Sequence, residues 1–154
     1  PETGLKVSDM DNYETKDRSQ SPIMLAEDSP LLSKLICECL RKAGYTNLIV
    51  NMNGQEAGDK LVEMHKNGTA LQDVHLIITD IEMPLMDGHR LTKLVKENDT
   101  LKNIPVIIFS SLINDEIRKK GESLFADAHL TRPEIGKLIS VVDELIAKHD
   151  EHRK

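Results

Sequence analysis

IITDIEMPLMDG, residues 77–88, decides how this chain is read. Its apolar, β-branched start belongs to a run over Val74–Thr79 that is near-continuous, as expected of a strand buried on both faces. The run stops at a lone Asp80. Asp87-Gly88 then marks a turn or helix start.

Four more apolar runs of this kind lie on either side, at Ile23–Ala26, Leu48–Val50, Val106–Phe109 and, more weakly, Ala128–Thr131. Amphipathic stretches fall between them. Over residues 31–43 the apolar positions Leu32, Leu35, Ile36, Cys39 and Leu40 follow helical spacing. Over the last stretch Ile135, Leu138, Ile139, Val142, Leu145 and Ile146 trace one stripe. Ser29-Pro30 offers an N-cap with Pro at the first helical position, and Asn53-Gly54 and Pro133 mark other turns or helix starts. Gly58 falls inside the predicted second helix, where it costs about 1 kcal/mol against Ala. A strand–helix unit repeated five times demands a parallel sheet with right-handed crossovers, an α/β doubly wound fold. Residues 1–21 are polar and aperiodic and are expected to form a linker or tail. The domain is expected over 22–148, with a short tail at 149–154.

Ligands of open α/β sheets sit beyond the carboxyl ends of the strands, so the residues that follow each run matter most. The first ends in Glu27-Asp28, the third in Asp80 with Glu82 two residues on, the fourth in Ser110-Ser111, and the fifth in Arg132-Pro133. The second ends in Asn51, with nothing obviously reactive. Turn chemistry alone favours Asp and Ser at such places, but three carboxylates, a hydroxyl and a cation on one sheet edge exceed that. Carboxylates crowded together repel, and one is driven to stay protonated unless a cation intervenes. Mg²⁺ takes oxygen ligands and keeps several waters. Asp28 and Asp80 could each give one oxygen, a backbone carbonyl of the following loop a third, and Glu27 could hold a water. No His or Cys accompanies them, which disfavours zinc or iron. Phosphoryl transfer requires positioning and charge neutralisation above all. Asp80 fits the nucleophile, with Ser110 and Arg132 to bond the remaining phosphoryl oxygens. No Gly-rich phosphate loop is present, so ATP is not the expected donor.

The segments LAEDSP (25–30), IITDIEMPLMDG (77–88), IPVIIFSS (104–111) and TRP (131–133) together resemble the CheY-like receiver domains of bacterial two-component systems. LAEDSPLLSKLI, NGQEA, IIFSSLINDE and RPEIGKLI look most like the C-terminal receiver of CheV-type chemotaxis proteins. The resemblance implies a flavodoxin-like fold of strand order 2-1-3-4-5 and a phosphoacceptor at Asp80. It makes Asp28 and Asp80 ligands of Mg²⁺, with the main-chain carbonyl of Glu82, and Ser110 a switch hydroxyl. It implies a CheA-like histidine kinase as donor, and residues 1–21 as the end of a linker from a CheW-like coupling domain outside this chain. His129 falls where many receivers carry a rotating aromatic. Arg132 departs from the family's Lys, exchanging a compact ammonium for a planar fork. Phe125 departs from the Gly usual after the fourth helix.

The bulk composition, 39% apolar and 30% charged, is an ordinary soluble balance. The 154 residues carry a net charge of −6, against a nucleic-acid surface. No apolar run reaches the roughly 18 residues needed to span a bilayer, and no signal segment is evident. Cys37 and Cys39, two apart on a helix, do not share a face and read as reduced thiols of a cytoplasmic protein. Two other functions compete. A pseudo-receiver would be a phosphorylation-independent interaction module, and Arg132 favours it. An aspartyl-phosphate hydrolase would carry its nucleophile in a D-x-D after the first strand, whereas Asp80 follows the third and Glu82 replaces the second Asp.

Overall fold

The computed structural model describes residues 16–110 and 126–150. Five strands form one parallel sheet in the order β2-β1-β3-β4-β5, as the resemblance implies. They are β1 (Ile23–Ala26), β2 (Leu48–Asn51), β3 (Leu76–Thr79), β4 (Val106–Ser110) and β5 (Ala128–Thr131). The main helices are α1 (Pro30–Lys42), α2 (Gly54–Asn67), α3 (Gly88–Lys96) and α4 (Leu138–Lys148). A one-turn helix over Ala70–Asp73 precedes β3.

Strand alternation splits the apolar runs between two cores. Ile23, Leu25, Leu76, Ile78, Ile107 and Phe109 meet Ile36 and Leu40 of α1 and Leu138 and Val142 of α4 on one face. Met24, Ala26, Ile77 and Val106 meet Ala57 and Leu61 of α2 and Leu91 and Val95 of α3 on the other. Helices on both faces are what make the central strands apolar on both sides, up to the polar residues Thr79 and Ser110 at the ends of β3 and β4. β2 departs from that expectation. It has one neighbour only, and Val50 is 38% exposed.

The helix starts follow local chemistry. The Ser29 hydroxyl accepts from the Leu32 N–H at 3.3 Å, with Pro30 opening α1. Asn53 Oδ1 accepts from Glu56 N–H and Asp87 Oδ1 from Arg90 N–H, both at 2.8 Å, capping α2 and α3. The last stripe is not helical from Ile135 as predicted. Arg132–Lys137 form a 3-10 turn, and α4 begins at Leu138. Gly136 lies in that turn and weakens any α-helical start there.

Residues Lys16–Gln20, inside the stretch read as tail, also form a 3-10 turn. Arg18 anchors it. Its Nη2 meets Asp143 Oδ2 of α4 at 2.5 Å, its Nη1 donates to the Ala43 carbonyl at 2.8 Å, and its guanidinium lies 5.6 Å from the Tyr45 ring centre. The Tyr45 hydroxyl donates to the same carboxylate. Lys96 Nζ ties the opposite side of the same sheet end together, reaching Asp127 Oδ2 at 2.8 Å and the Ile104 carbonyl at 2.9 Å. Cys37 is buried and Cys39 half-buried, both are free thiols, and burial pushes both upward in pKa. Among the described residues no helix is long and apolar enough to cross a membrane.

Candidate functional site

The sheet brings the sequence-distant acids together through its backbone. The Glu27 N–H donates to the Asn51 carbonyl at 3.1 Å, extending the pairing of β1 with β2, and the Asp80 N–H donates to the Ala26 carbonyl at 3.0 Å. Glu27-Asp28 and Asp80 therefore leave adjacent strands side by side. Ligand oxygens of Glu27, Asp28 and Asp80 all lie within 4.8 Å of one another. Glu27 is buried at 1% exposure, Asp80 is half-buried and Asp28 faces solvent.

This placement is electrostatically costly. Burial raises the Glu27 carboxyl to a pKa of about 8; the Ser29 N–H at 3.0 Å on Oε2 opposes this, while Asp80 and Asp28 add to it by repulsion. Asp80 is also raised, first by burial, against the Ile81 N–H that donates to its Oδ1 at 2.8 Å, and further by Asp28 and Glu82. Glu27 Oε1 is buried and meets no hydrogen-bond donor. A buried carboxylate oxygen with no donor, beside two more carboxylates, lacks a positive partner. The donor set is oxygen only, which suits a hard divalent cation. The site fits Mg²⁺ on these grounds.

Glu82 lies with its side chain exposed in the loop after β3. That loop is tightly built. The Gly88 N–H donates to the Ile81 carbonyl at 2.7 Å, the Met86 N–H to the Pro84 carbonyl at 2.8 Å, and Leu85 adopts a left-handed φ of 71°. A β-carbon at Gly88 would stand 1.9 Å from the Asp80 carbonyl oxygen. The sequence marks Asp87-Gly88 as a turn only; its packing on Asp80 becomes visible once the loop is folded back. Asn51, passed over as unreactive, is fully buried and donates through Nδ2 to the Leu25 carbonyl at 3.1 Å.

Ser110 ends β4 in register with Thr131, and Arg132 follows as the first residue after β5. Their backbones thus reach the same sheet edge as Asp80, while their side chains lie outside the description. His129 is half-buried on β5, in register with Ile108. Phe125 lies outside the described residues.

The sequence profile of the response regulator receiver domain matches residues 23–143. The chain is 31% identical over 137 residues to the sensor histidine kinase CheAY of Helicobacter pylori, covering 88% of this chain and 16% of that protein. It is 33% identical over 118 residues to chemotaxis protein CheV2 of the same organism, covering 77% of this chain and 36% of the relative. The chain therefore spans well under half of either relative. Among solved structures it is similar to the Mn²⁺-bound form of response regulator Rcp1, with a TM-score of 0.64, 25% identity, and 80% of this chain and 91% of that one covered.

Proposed function

The chain belongs to the response regulator receiver domain family, and on that premise we propose that Asp80 is its phosphoacceptor. The observation that carries the reading is the cluster of Glu27, Asp28 and Asp80 oxygens within 4.8 Å, with Glu27 Oε1 buried and lacking a donor. Asp28, Asp80 and the main-chain carbonyl of Glu82 would hold Mg²⁺, and Glu27 would reach it through a water. Bound there, the ion supplies positive charge against one phosphoryl oxygen. The similarity to the Mn²⁺-bound regulator supports binding of a divalent ion.

The chain's own residues do the rest. Ile81 N–H occupies Asp80 Oδ1 at 2.8 Å, which leaves the second oxygen for phosphorus. That oxygen attacks, an O–P bond forms as the bond from phosphorus to the donor breaks, and Asp80 becomes an acyl phosphate. The Ser110 hydroxyl and the Arg132 guanidinium would bond the two remaining phosphoryl oxygens. The donor in this reading is a CheA-like histidine kinase, and an attached CheW-like coupling domain is the nearest partner. Similarity to a sensor histidine kinase and to a chemotaxis protein supports a place in chemotaxis signalling, as a phosphorylation switch or a phosphate sink. Incubation with acetyl phosphate and Mg²⁺ followed by intact-mass spectrometry tests it. One phosphoryl group should appear on the wild type and none on Asp80→Asn. No added mass on the wild type would favour the phosphorylation-independent interaction module.

A further inference from the structure

The glycines of α2 take no part in the chemistry above, yet one of them meets the loop that carries the acceptor. A β-carbon built at Gly54 would lie 2.1 Å from the Met86 carbonyl oxygen, 2.9 Å from its carbonyl carbon and 3.2 Å from Met86 Cβ. Real β-carbons do not come that close to backbone, so any side chain at Gly54 forces a shift. One turn later, Gly58 is different. A β-carbon built there would meet the flexible end of Met86, with Sδ at 3.4 Å and Cε at 3.5 Å, and Leu94 Cδ1 at 3.7 Å, which are ordinary contacts.

We infer that Gly54 is a positioning residue for the phosphoacceptor loop: its missing β-carbon is the seat on which the Met86 carbonyl rests. The shift forced by a side chain falls on the loop rather than on the helix. The helix is held by the Asn53 cap, 2.8 Å from the Glu56 N–H, and by Ala57 and Leu61, both fully buried. The loop exposes Glu82, Pro84 and Leu85, so it has solvent on its outer side to move into. Its far end is pinned at Gly88, whose N–H reaches the Ile81 carbonyl at 2.7 Å and whose α-carbon lies against the Asp80 carbonyl. Pushing Met86 outward therefore works on a short lever that ends at Asp80 and passes through Glu82. The functional meaning of this seat rests on the reading of Asp80 as acceptor.

The test compares the whole chain as wild type, Gly54→Ala, Gly58→Ala and Met86→Ala. Three quantities are measured: Mg²⁺ affinity from amide shifts of residues 80–88, the initial rate of labelling by acetyl phosphate, and the denaturation midpoint. Gly54→Ala should weaken Mg²⁺ binding tenfold or more and slow labelling alongside, with the amide signals of the central strands unchanged. Gly58→Ala should bind Mg²⁺ within twofold of wild type. A folded Gly54→Ala that loses stability but keeps affinity and rate within twofold would overturn the inference, since a merely structural glycine predicts that result. If Gly54→Ala does not fold, Met86→Ala decides. It adds no atoms and removes the half-buried side chain that holds the seated residue against the core, so it should weaken Mg²⁺ at least threefold, and an unchanged affinity overturns the inference. A wild type that takes no phosphoryl group defeats the acceptor reading instead, while the Mg²⁺ comparison still decides the role of Gly54.

Discussion

Glu27→Gln should stabilise the metal-free domain, because it replaces a carboxyl that must take up a proton to be buried with a side chain that is neutral in both states. The Glu27 carboxyl is 1% exposed and has a pKa of about 8 against an ordinary 4.5. Its folded pKa lies above the unfolded one, so the favourable protonated form is fully present below about 4.5 and is lost as pH rises through about 8. At roughly 1.4 kcal/mol per pKa unit, ionisation of the unfolded chain between 4.5 and pH 7 lowers stability by roughly 3 kcal/mol. Gln keeps an oxygen for the Ser29 N–H, now at 3.0 Å from Glu27 Oε2, and presents an amide donor to Asp80. Urea denaturation in EDTA at pH 7 should therefore show Glu27→Gln more stable than wild type by about 1–3 kcal/mol. The stability loss of the wild type between pH 5 and pH 8 should flatten by up to one proton in the variant. Saturating Mg²⁺ should reverse the order, because the wild-type carboxylate then faces a cation. A variant less stable than wild type in EDTA, with an unchanged pH slope, would refute the claim that burial holds the Glu27 carboxyl protonated.

Other expectations follow from particular contacts. Gly58→Ala should raise stability by about 0.5–1 kcal/mol by chemical denaturation, since the helix gains propensity and the new methyl meets only ordinary contacts; a loss would show the Met86 side chain cannot yield. Gly88→Ala should cost about 2–3 kcal/mol, because its β-carbon would fall 1.9 Å from the Asp80 carbonyl oxygen; a neutral result in the same assay would contradict that geometry. Arg18→Ala should cost about 1 kcal/mol, and a double-mutant cycle with Asp143→Ala should show coupling between them. Additive losses would mean that the ion pair contributes nothing.

The departures from the sequence reading share a physical pattern. Helix starts at Ser29 and Asp87 were legible because a capping side chain acts on its own neighbours, within three residues. The start of the last helix was not, because Ile135 satisfies the apolar stripe equally well in a 3-10 turn. Arg18 read as tail because a polar, aperiodic segment gives no local sign of a partner 125 residues away. Gly58 read as a simple weakness of its helix. Its neighbours Met86 and Leu94 come from another part of the chain.

The alternation of strands and helices, and the acids and hydroxyl that end the strands, can be read from the residues alone. Period and turn chemistry are local and survive without a fold. The fold added that Glu27, Asp28 and Asp80 stand within 4.8 Å, that Glu27 is the buried member, and that Gly54 and Gly88 touch the loop after β3. Burial and close approach depend on which strands become neighbours, and here the chain pairs β1 with both β2 and β3. That pairing places the buried carboxyl of Glu27 beside Asp80.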